Sequence, residues 1–234
     1  MALPFYMEYE AKYNNSRNVG DIYRQFFNVY DIMRDKETGL YYHAYDSSKM
    51  SFWCNKETGL SQNFWLRSLG WYAMALLDTL NKAADKESDD WKKLRGIFTE
   101  FMGSMVKVQD KSGMWYQLPA KNDDESIKNG NYLETSGSAI MAYAMMKGSR
   151  LALLPKEYAE YGKRAFEGIC EKHLKSKDGK MSLGGICLVA GLGPETNKKR
   201  DGSFAYYMSE PIVEDDAKGA GPFILAYNEY KLLH

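Results

Sequence analysis

The sequence predicts an all-α fold: an incomplete α/α toroid of the (α/α)6-barrel type, built from repeated helical hairpins. Three observations predict it. Apolar residues recur at spacings of three and four over seven segments, the period of an amphipathic helix. The turn motif Arg34-Asp35-Lys36-Glu37-Thr38-Gly39-Leu40-Tyr41-Tyr42 recurs as Gln109-Asp110-Lys111-Ser112-Gly113-Met114-Trp115-Tyr116, and degenerately as Ser176-Lys177-Asp178-Gly179-Lys180-Met181-Ser182. Each copy follows the second helix of a pair, and the long aromatic loops fall at the same end of successive hairpins. Stacked hairpins form either an open solenoid or a closed toroid; loops gathered at one end favour the toroid, whose mouth they would line. A ring of six such hairpins needs roughly 350 to 400 residues at this repeat length. The chain has 234, with no linker or composition shift, and reads as one domain, 1–234, that is too short to close the ring.

The elements follow in order. Residues 1–14 and 18–33 make the first pair, parted by the polar break Asn14-Asn15-Ser16. Residues 63–82 carry one apolar stripe, Phe64, Leu69, Ala73, Leu76, Leu77 and Leu80, and pair with 89–109. Residues 132–151 and 156–172 form an antiparallel hairpin across Pro155, and 217–233 closes the series. Proline starts a link because it cannot continue a helix, and the glycine of each turn motif supplies a positive φ. The charged stretches Lys82-Ala83-Ala84-Asp85-Lys86-Glu87-Ser88-Asp89-Asp90 and Asn122-Asp123-Asp124-Glu125-Ser126 read as solvated connections.

Composition narrows the function. Lys plus Arg and Asp plus Glu are both 31, so the basic excess or stripe of a nucleic-acid or anionic-membrane partner is absent. No run is long and apolar enough to span a bilayer. The three cysteines, Cys54, Cys170 and Cys187, lack CxxC or metal-ligand spacing and read as small hydrophobes. The histidines are scattered and the loop glycines carry no phosphate-binding fingerprint, so no metal, nucleotide or organic cofactor is implied. Aromatics reach 14 %, with 18 Tyr and 5 Trp, many in Gly-rich loops. Rings beside amides and hydroxyls suit sugars, whose C–H faces stack while their hydroxyls take hydrogen bonds.

Two clusters could do this chemistry. In Phe64-Trp65-Leu66-Arg67-Ser68-Leu69-Gly70-Trp71 an Arg lies between two Trp at a helix start. The guanidinium is a planar fork for a sugar carboxylate, and the rings suit a pyranose face. The alternative is that Trp71 is core and Arg67 closes a structural ion pair. In Tyr41-Tyr42-His43-Ala44-Tyr45-Asp46, His43 can stack on a sugar, donate a hydrogen bond, or serve structure alone. Glu134, Glu210 and Asp215 suit capping or loop pinning as well as catalysis.

These segments resemble the unsaturated uronyl hydrolases, in particular the unsaturated rhamnogalacturonyl hydrolases of glycoside hydrolase family 105, relatives of the family 88 unsaturated glucuronyl hydrolases. That family's Trp-x-Arg-x-x-Gly-Trp pattern is matched by Trp65, Arg67, Gly70 and Trp71, with Ser68-Leu69 where many relatives have Gly-Asn. Gly39-Leu40-Tyr41-Tyr42-His43-Ala44-Tyr45-Asp46 resembles its Gly-Leu-Tyr-Tyr-His-x-Tyr/Trp-Asp. Further similar segments lie at 113–118, 131–138 and 200–222. The resemblance implies an α/α toroid that binds a small oligosaccharide through His43, Trp65, Arg67, Trp71 and Tyr41.

It also implies a reaction that is hydration rather than ordinary glycoside hydrolysis. An acid protonates the unsaturated uronyl ring at C4, water adds at C5, and the hemiketal collapses to release the aglycone. One carboxyl group acting as acid and then base suffices. In the family that Asp lies in a Trp-x-Asp-Gly-(Leu/Ile)-(Tyr/Phe)-Met-x-x-Pro-Phe segment; Met1, Pro4 and Phe5 match its end, which puts the Asp four residues upstream of Met1. The expectation is therefore the later two-thirds of such an enzyme, with no catalytic residue of its own and little or no activity. The alternatives are a non-catalytic sugar-binding remnant and another toroid enzyme such as a sugar epimerase. The epimerase would need two of His43, His173 and His234 as acid and base. An open ring exposes two apolar helix faces, so self-association is expected. There is no signal-peptide pattern, and the compartment, cytoplasmic or periplasmic, stays open.

Overall fold

A computed structural model describes residues 2–119 and 124–233. Met1, His234 and the Asn122-Asp123 part of the expected charged connection lie outside the described residues. The elements are α1 (Leu3–Tyr13), α2 (Val19–Met33), α3 (Leu66–Lys82), α4 (Asp89–Val106), the one-turn α5 (Glu125–Lys128), α6 (Thr135–Arg150) and α7 (Tyr158–His173). Then come β1 (Leu174–Lys177), β2 (Lys180–Leu183), β3 (Ile186–Cys187), α8 (Phe204–Ser209), β4 (Ile212–Val213) and α9 (Ala217–Lys231).

The long helices lie in two layers of an α/α toroid. Helices α1, α3, α6 and α9 pack side by side as an inner row, and α2, α4 and α7 lie outside them. Helix α6 touches α3, α7 and α9 and is buried along nearly its whole length. Its sequence is small residues and methionines, because a helix covered on every side leaves little room for bulk. The outer helices bury one stripe each, such as Ile22, Tyr23 and Phe26 of α2, and so show the clearer amphipathic period. Each neighbouring pair of inner helices is also tied by an ion pair. Lys82 of α3 reaches Glu8 of α1. Lys147 of α6 lies 2.6 Å from Asp78 of α3, and Arg150 of α6 grips Glu229 of α9 through two bonds of 2.7 and 2.8 Å.

Helices α1 and α9 form the two ends of this arc. Phe5, Tyr9 and Tyr13, four residues apart on α1, are exposed, as are Ile224, Leu225 and Tyr227 on α9.

The turn motifs share one construction. The side chain of Asp35, Asn55 or Asp110 accepts backbone N–H bonds of 2.8–2.9 Å from the residues two or three further on. The glycine that closes each turn, at φ +72, +79 and +88°, donates back to the carbonyl of that Asp or Asn. The copy at Asn55-Lys56-Glu57-Thr58-Gly59-Leu60 escapes a search keyed to helical hairpins, since no helix precedes it. Gly113 is doubly required: a Cβ there would collide with the backbone of Arg164.

Two expectations change. The degenerate third copy is not a helix-to-mouth turn but the tip of the β1–β2 hairpin, with Lys177 paired to Lys180. Asp178 and Gly179 take φ +52 and +72°, the two-residue turn that Asp-Gly favours. Helices α3 and α6 also begin three residues later than their periodicity suggests. Residues before them are extended, with Trp65 at φ −106°, ψ 122° and Glu134 at φ −106°, ψ 127°. Their amides are spent on the strand-like segment 115–117: Glu134 N–H donates to Trp115 O at 2.9 Å, and Gln117 N–H to Tyr132 O at 2.7 Å.

Candidate active site

Loops from three parts of the chain interlock over the N-termini of α3 and α6. Leu66 N–H donates to Gln117 O at 3.0 Å, and Asn63 Nδ2 to Gly202 O at 2.7 Å. At their centre is His43. Its Nδ1 lies 2.6 Å from the Tyr207 hydroxyl, and its ring is 4.7 Å from that of Trp65. Trp65 Nε1 donates to Gln117 Oε1 at 3.2 Å, and Gln117 Nε2 in turn to Cys187 Sγ at 3.0 Å. Trp65, Cys187, Tyr206 and Tyr207 form a small core of their own beneath these loops, separate from the main helical core. The hydrophobicity of that core acts on the histidine: burial pulls the His43 pKa down to about 4.

Of the residues expected to form a sugar site, the structure brings His43 and Trp65 together. Arg67 stacks its guanidinium 4.9 Å from the Trp65 ring centroid, but it does not stand at a surface as a carboxylate clamp. At 1 % exposure it donates to the carbonyls of Cys187 and Leu188, at 2.5 and 3.3 Å, and to Ser136 Oγ at 3.1 Å. That hydroxyl links it to buried Glu134, whose carboxylate accepts from Ser136 N (3.0 Å), Ser136 Oγ (2.6 Å), Gly137 N (2.7 Å) and Cys187 N (3.0 Å). Arg67 and Glu134 thus tie the β3 strand and the loop after it to the heads of α3 and α6.

Trp71 is not brought to this cluster. The motif winds around α3: Arg67 and Gly70 face α6, whereas Trp71 lines a cleft with Leu3, Gln25, Phe26 and Val29 of α1 and α2. Tyr41 lies behind the cluster, wedged between Tyr72 and Phe101 at 4.7 and 5.0 Å in the main core. Asp46 accepts from Ser51 N, Ser48 N, Met50 N and Ser48 Oγ at 2.7–3.0 Å. Those bonds, the one from Ser51 first, hold its carboxyl well below the usual range. Asp215 likewise pins Leu183 N at 2.8 Å. Tyr207 and Gln117 were not singled out from the sequence; the signal available was their place in two of the similar segments, 200–222 and 113–118.

The depressed His43 pKa has a consequence for stability. Below the ordinary histidine value near 6.5 the unfolded chain takes up a proton that the folded site refuses until about pH 4. Stability is therefore full above about pH 6.5 and declines as pH falls through that window, by roughly 2–3 kcal/mol from this one group. Chemical denaturation of wild type and His43→Gln between pH 4 and 7 measures it. The variant should show the shallower slope; equal slopes would place His43 in solvent.

No helix of the described residues is long and apolar enough to cross a membrane. Fold and mouth together are those of an α/α toroid with an aromatic mouth. The chain belongs to Glycosyl Hydrolase Family 88, whose family profile matches residues 1–233. It is similar to the protein Atu3128 of Agrobacterium fabrum, 38 % identical over 238 residues that cover 100 % of this chain and 99 % of that protein. It is also similar to the unsaturated rhamnogalacturonyl hydrolase YesR of Bacillus subtilis, 28 % identical over 68 % of this chain and 40 % of that protein. Among solved structures, a family 105 glycoside hydrolase of Clostridium acetobutylicum superposes with a TM-score of 0.91 at 44 % identity, over 98 % of this chain and 62 % of that one. The chain therefore spans less than two thirds of the length of that solved relative.

Proposed function

We propose that this chain is of the unsaturated uronyl hydrolase type and takes 4,5-unsaturated uronyl oligosaccharides of the rhamnogalacturonan kind, whose cleavage proceeds by hydration of the C4=C5 bond. The observation that carries this is His43, neutral and held between Trp65 and Tyr207 at the mouth. Burial raises the Tyr207 pKa, so its phenol keeps its proton and can donate to Nδ1. Nε2–H is then the donor offered to a sugar hydroxyl. Trp65 orients the ring, and Arg67 acts as a positioning residue by holding the 186–190 loop. The similarity to YesR supports the choice of sugar.

The reaction requires a carboxylic acid whose proton reaches C4. Glu134, Asp46 and Asp215 spend their oxygens on backbone amides and serine hydroxyls, so this reading gives the donor role to none of them. That commitment also favours a second reading, binding without turnover. Loss of the conjugated ultraviolet absorbance of an unsaturated galacturonyl-rhamnose disaccharide separates the two. Turnover by these 234 residues would place the acid among them. Turnover appearing only once an upstream segment bearing Asp-Gly is joined would establish the hydrolase reading, and silence from both would leave binding.

We also propose self-association of the chain through the ends of the arc. The aromatic stripe of α1 and the aliphatic one of α9 could pack as inner helices do, extending the row from one copy to the next. Light scattering should show a concentration-dependent increase in mass that Tyr9→Glu and Ile224→Glu abolish. A monomer at all concentrations would rule this out.

A further inference from the structure

A cleft of about 490 Å³ is lined among others by Tyr42, Phe52, Trp53, Asn55, Ser61 and Gln62. Its volume falls in the range of small-molecule sites, roughly 300–1,000 Å³. The cleft is built on a ribbon that begins at the histidine. His43 N–H donates to Asn63 O, Ser61 N–H to Ala44 O and Asp46 N–H to Gly59 O, at 2.8–3.0 Å. The Asp46 carboxylate fixes one wall of this ribbon and the Asn55 turn the other. Phe52 N–H contacts Glu195 Oε1 at 3.4 Å, and Gln62 Nε2 contacts Asp201 O at 3.3 Å, joining the cleft to the 191–203 loop.

Phe52 and Trp53 are large aromatic rings of this cleft that fill no core. Both are half-buried, yet neither belongs to any of the three hydrophobic cores. Among the described residues neither ring stacks on another, whereas Tyr42 is spent on Phe64 and His43 on Trp65. Rings left unstacked, next to amides and a hydroxyl, present the two surfaces a pyranose uses.

Resting on the function proposed above, we propose that this cleft is a second subsite. It would hold the saturated sugars that follow the terminal disaccharide unit, with Trp53 as the stacking platform and Gln62 as a hydroxyl partner. Longer oligosaccharides then bind better than the disaccharide, through contacts that do not involve His43.

Calorimetry would compare three probes: the unsaturated galacturonyl-rhamnose disaccharide, a tetrasaccharide with the same unsaturated end, and that tetrasaccharide with a saturated end. Wild type should prefer the unsaturated tetrasaccharide to the disaccharide by roughly tenfold. Trp53→Ala should remove that preference and leave disaccharide affinity unchanged. Gln62→Ala, at an exposed position, should reduce the preference without risk to the fold. A preference that survives in folded Trp53→Ala, or no preference in wild type, would overturn the subsite. Trp53-dependent binding of the saturated tetrasaccharide without binding of the disaccharide would keep the subsite and overturn the proposed function. No binding of any probe would overturn both.

Discussion

Glu134→Gln should cost about 3 kcal/mol, the order seen when a buried charged hydrogen-bonding group is removed and its partners are left unpaired. In a domain of this size each kcal/mol lowers the melting temperature by roughly 2–4 °C, so a fall of at least about 6 °C is expected. The geometry explains why so conservative a change does so much. Both carboxylate oxygens are occupied by backbone donors: Ser136 N and Cys187 N on Oε1, Gly137 N on Oε2. An amide must turn its NH2 toward one of those donors and leave it unpaired in a site with no exposure. Asp216→Ala is the comparison, because Asp216 caps α9 by the usual bond to Lys218 N and its loss should cost only about 1 kcal/mol. Equal losses from Glu134 and Asp216 would mean that Glu134 is an ordinary cap, and that the loop at Cys187 is held by something else.

This residue also marks what was legible in the sequence. The helices of the two layers follow from apolar spacing, because each outer helix buries one stripe and the period survives. The starts of α3 and α6 do not. Phe64 and Leu133 continue the apolar pattern, while hydrogen bonds to the 115–117 segment, remote in sequence, pull Trp65 and Glu134 into extended backbone. Tertiary pairing overrides local preference there, at the positions that build the site. The turn motif is legible at Asp35 and Asp110, where it ends a helix, but not at Asn55, and Asp178-Gly179 reads as a hairpin from its two residues alone. Within the site, His43 and Trp65 were legible as chemistry-bearing types in aromatic loops. The burial of Arg67 was not, because a short motif wound around a helix gives no sign of which members meet α6 and which meet α1 and α2. Tyr207 comes to His43 from 164 residues away, and no spacing within either segment announces that contact.

The largest functional effect should come from the histidine. His43→Ala is expected to weaken binding of the unsaturated galacturonyl-rhamnose disaccharide by about tenfold to a hundredfold, the loss of one half-buried, oriented donor. Tyr207→Phe leaves the imidazole in place but removes the hydroxyl 2.6 Å from Nδ1. The ring then loses the contact that selects its tautomer, and a smaller loss, roughly tenfold or less, should follow. Either loss could reflect general damage to the mouth, so the pH dependence of wild-type affinity is the sharper measurement. A donor that stays neutral binds equally well from pH 8 down to mildly acid conditions, with affinity changing only near its own pKa of about 4. A midpoint near the ordinary histidine value of about 6.5 would show His43 in solvent and titrating freely, and the site would then have to recognise its sugar by charge. A flat profile together with the Tyr207→Phe loss would show that the mouth works by holding a neutral hydrogen-bond donor in one orientation.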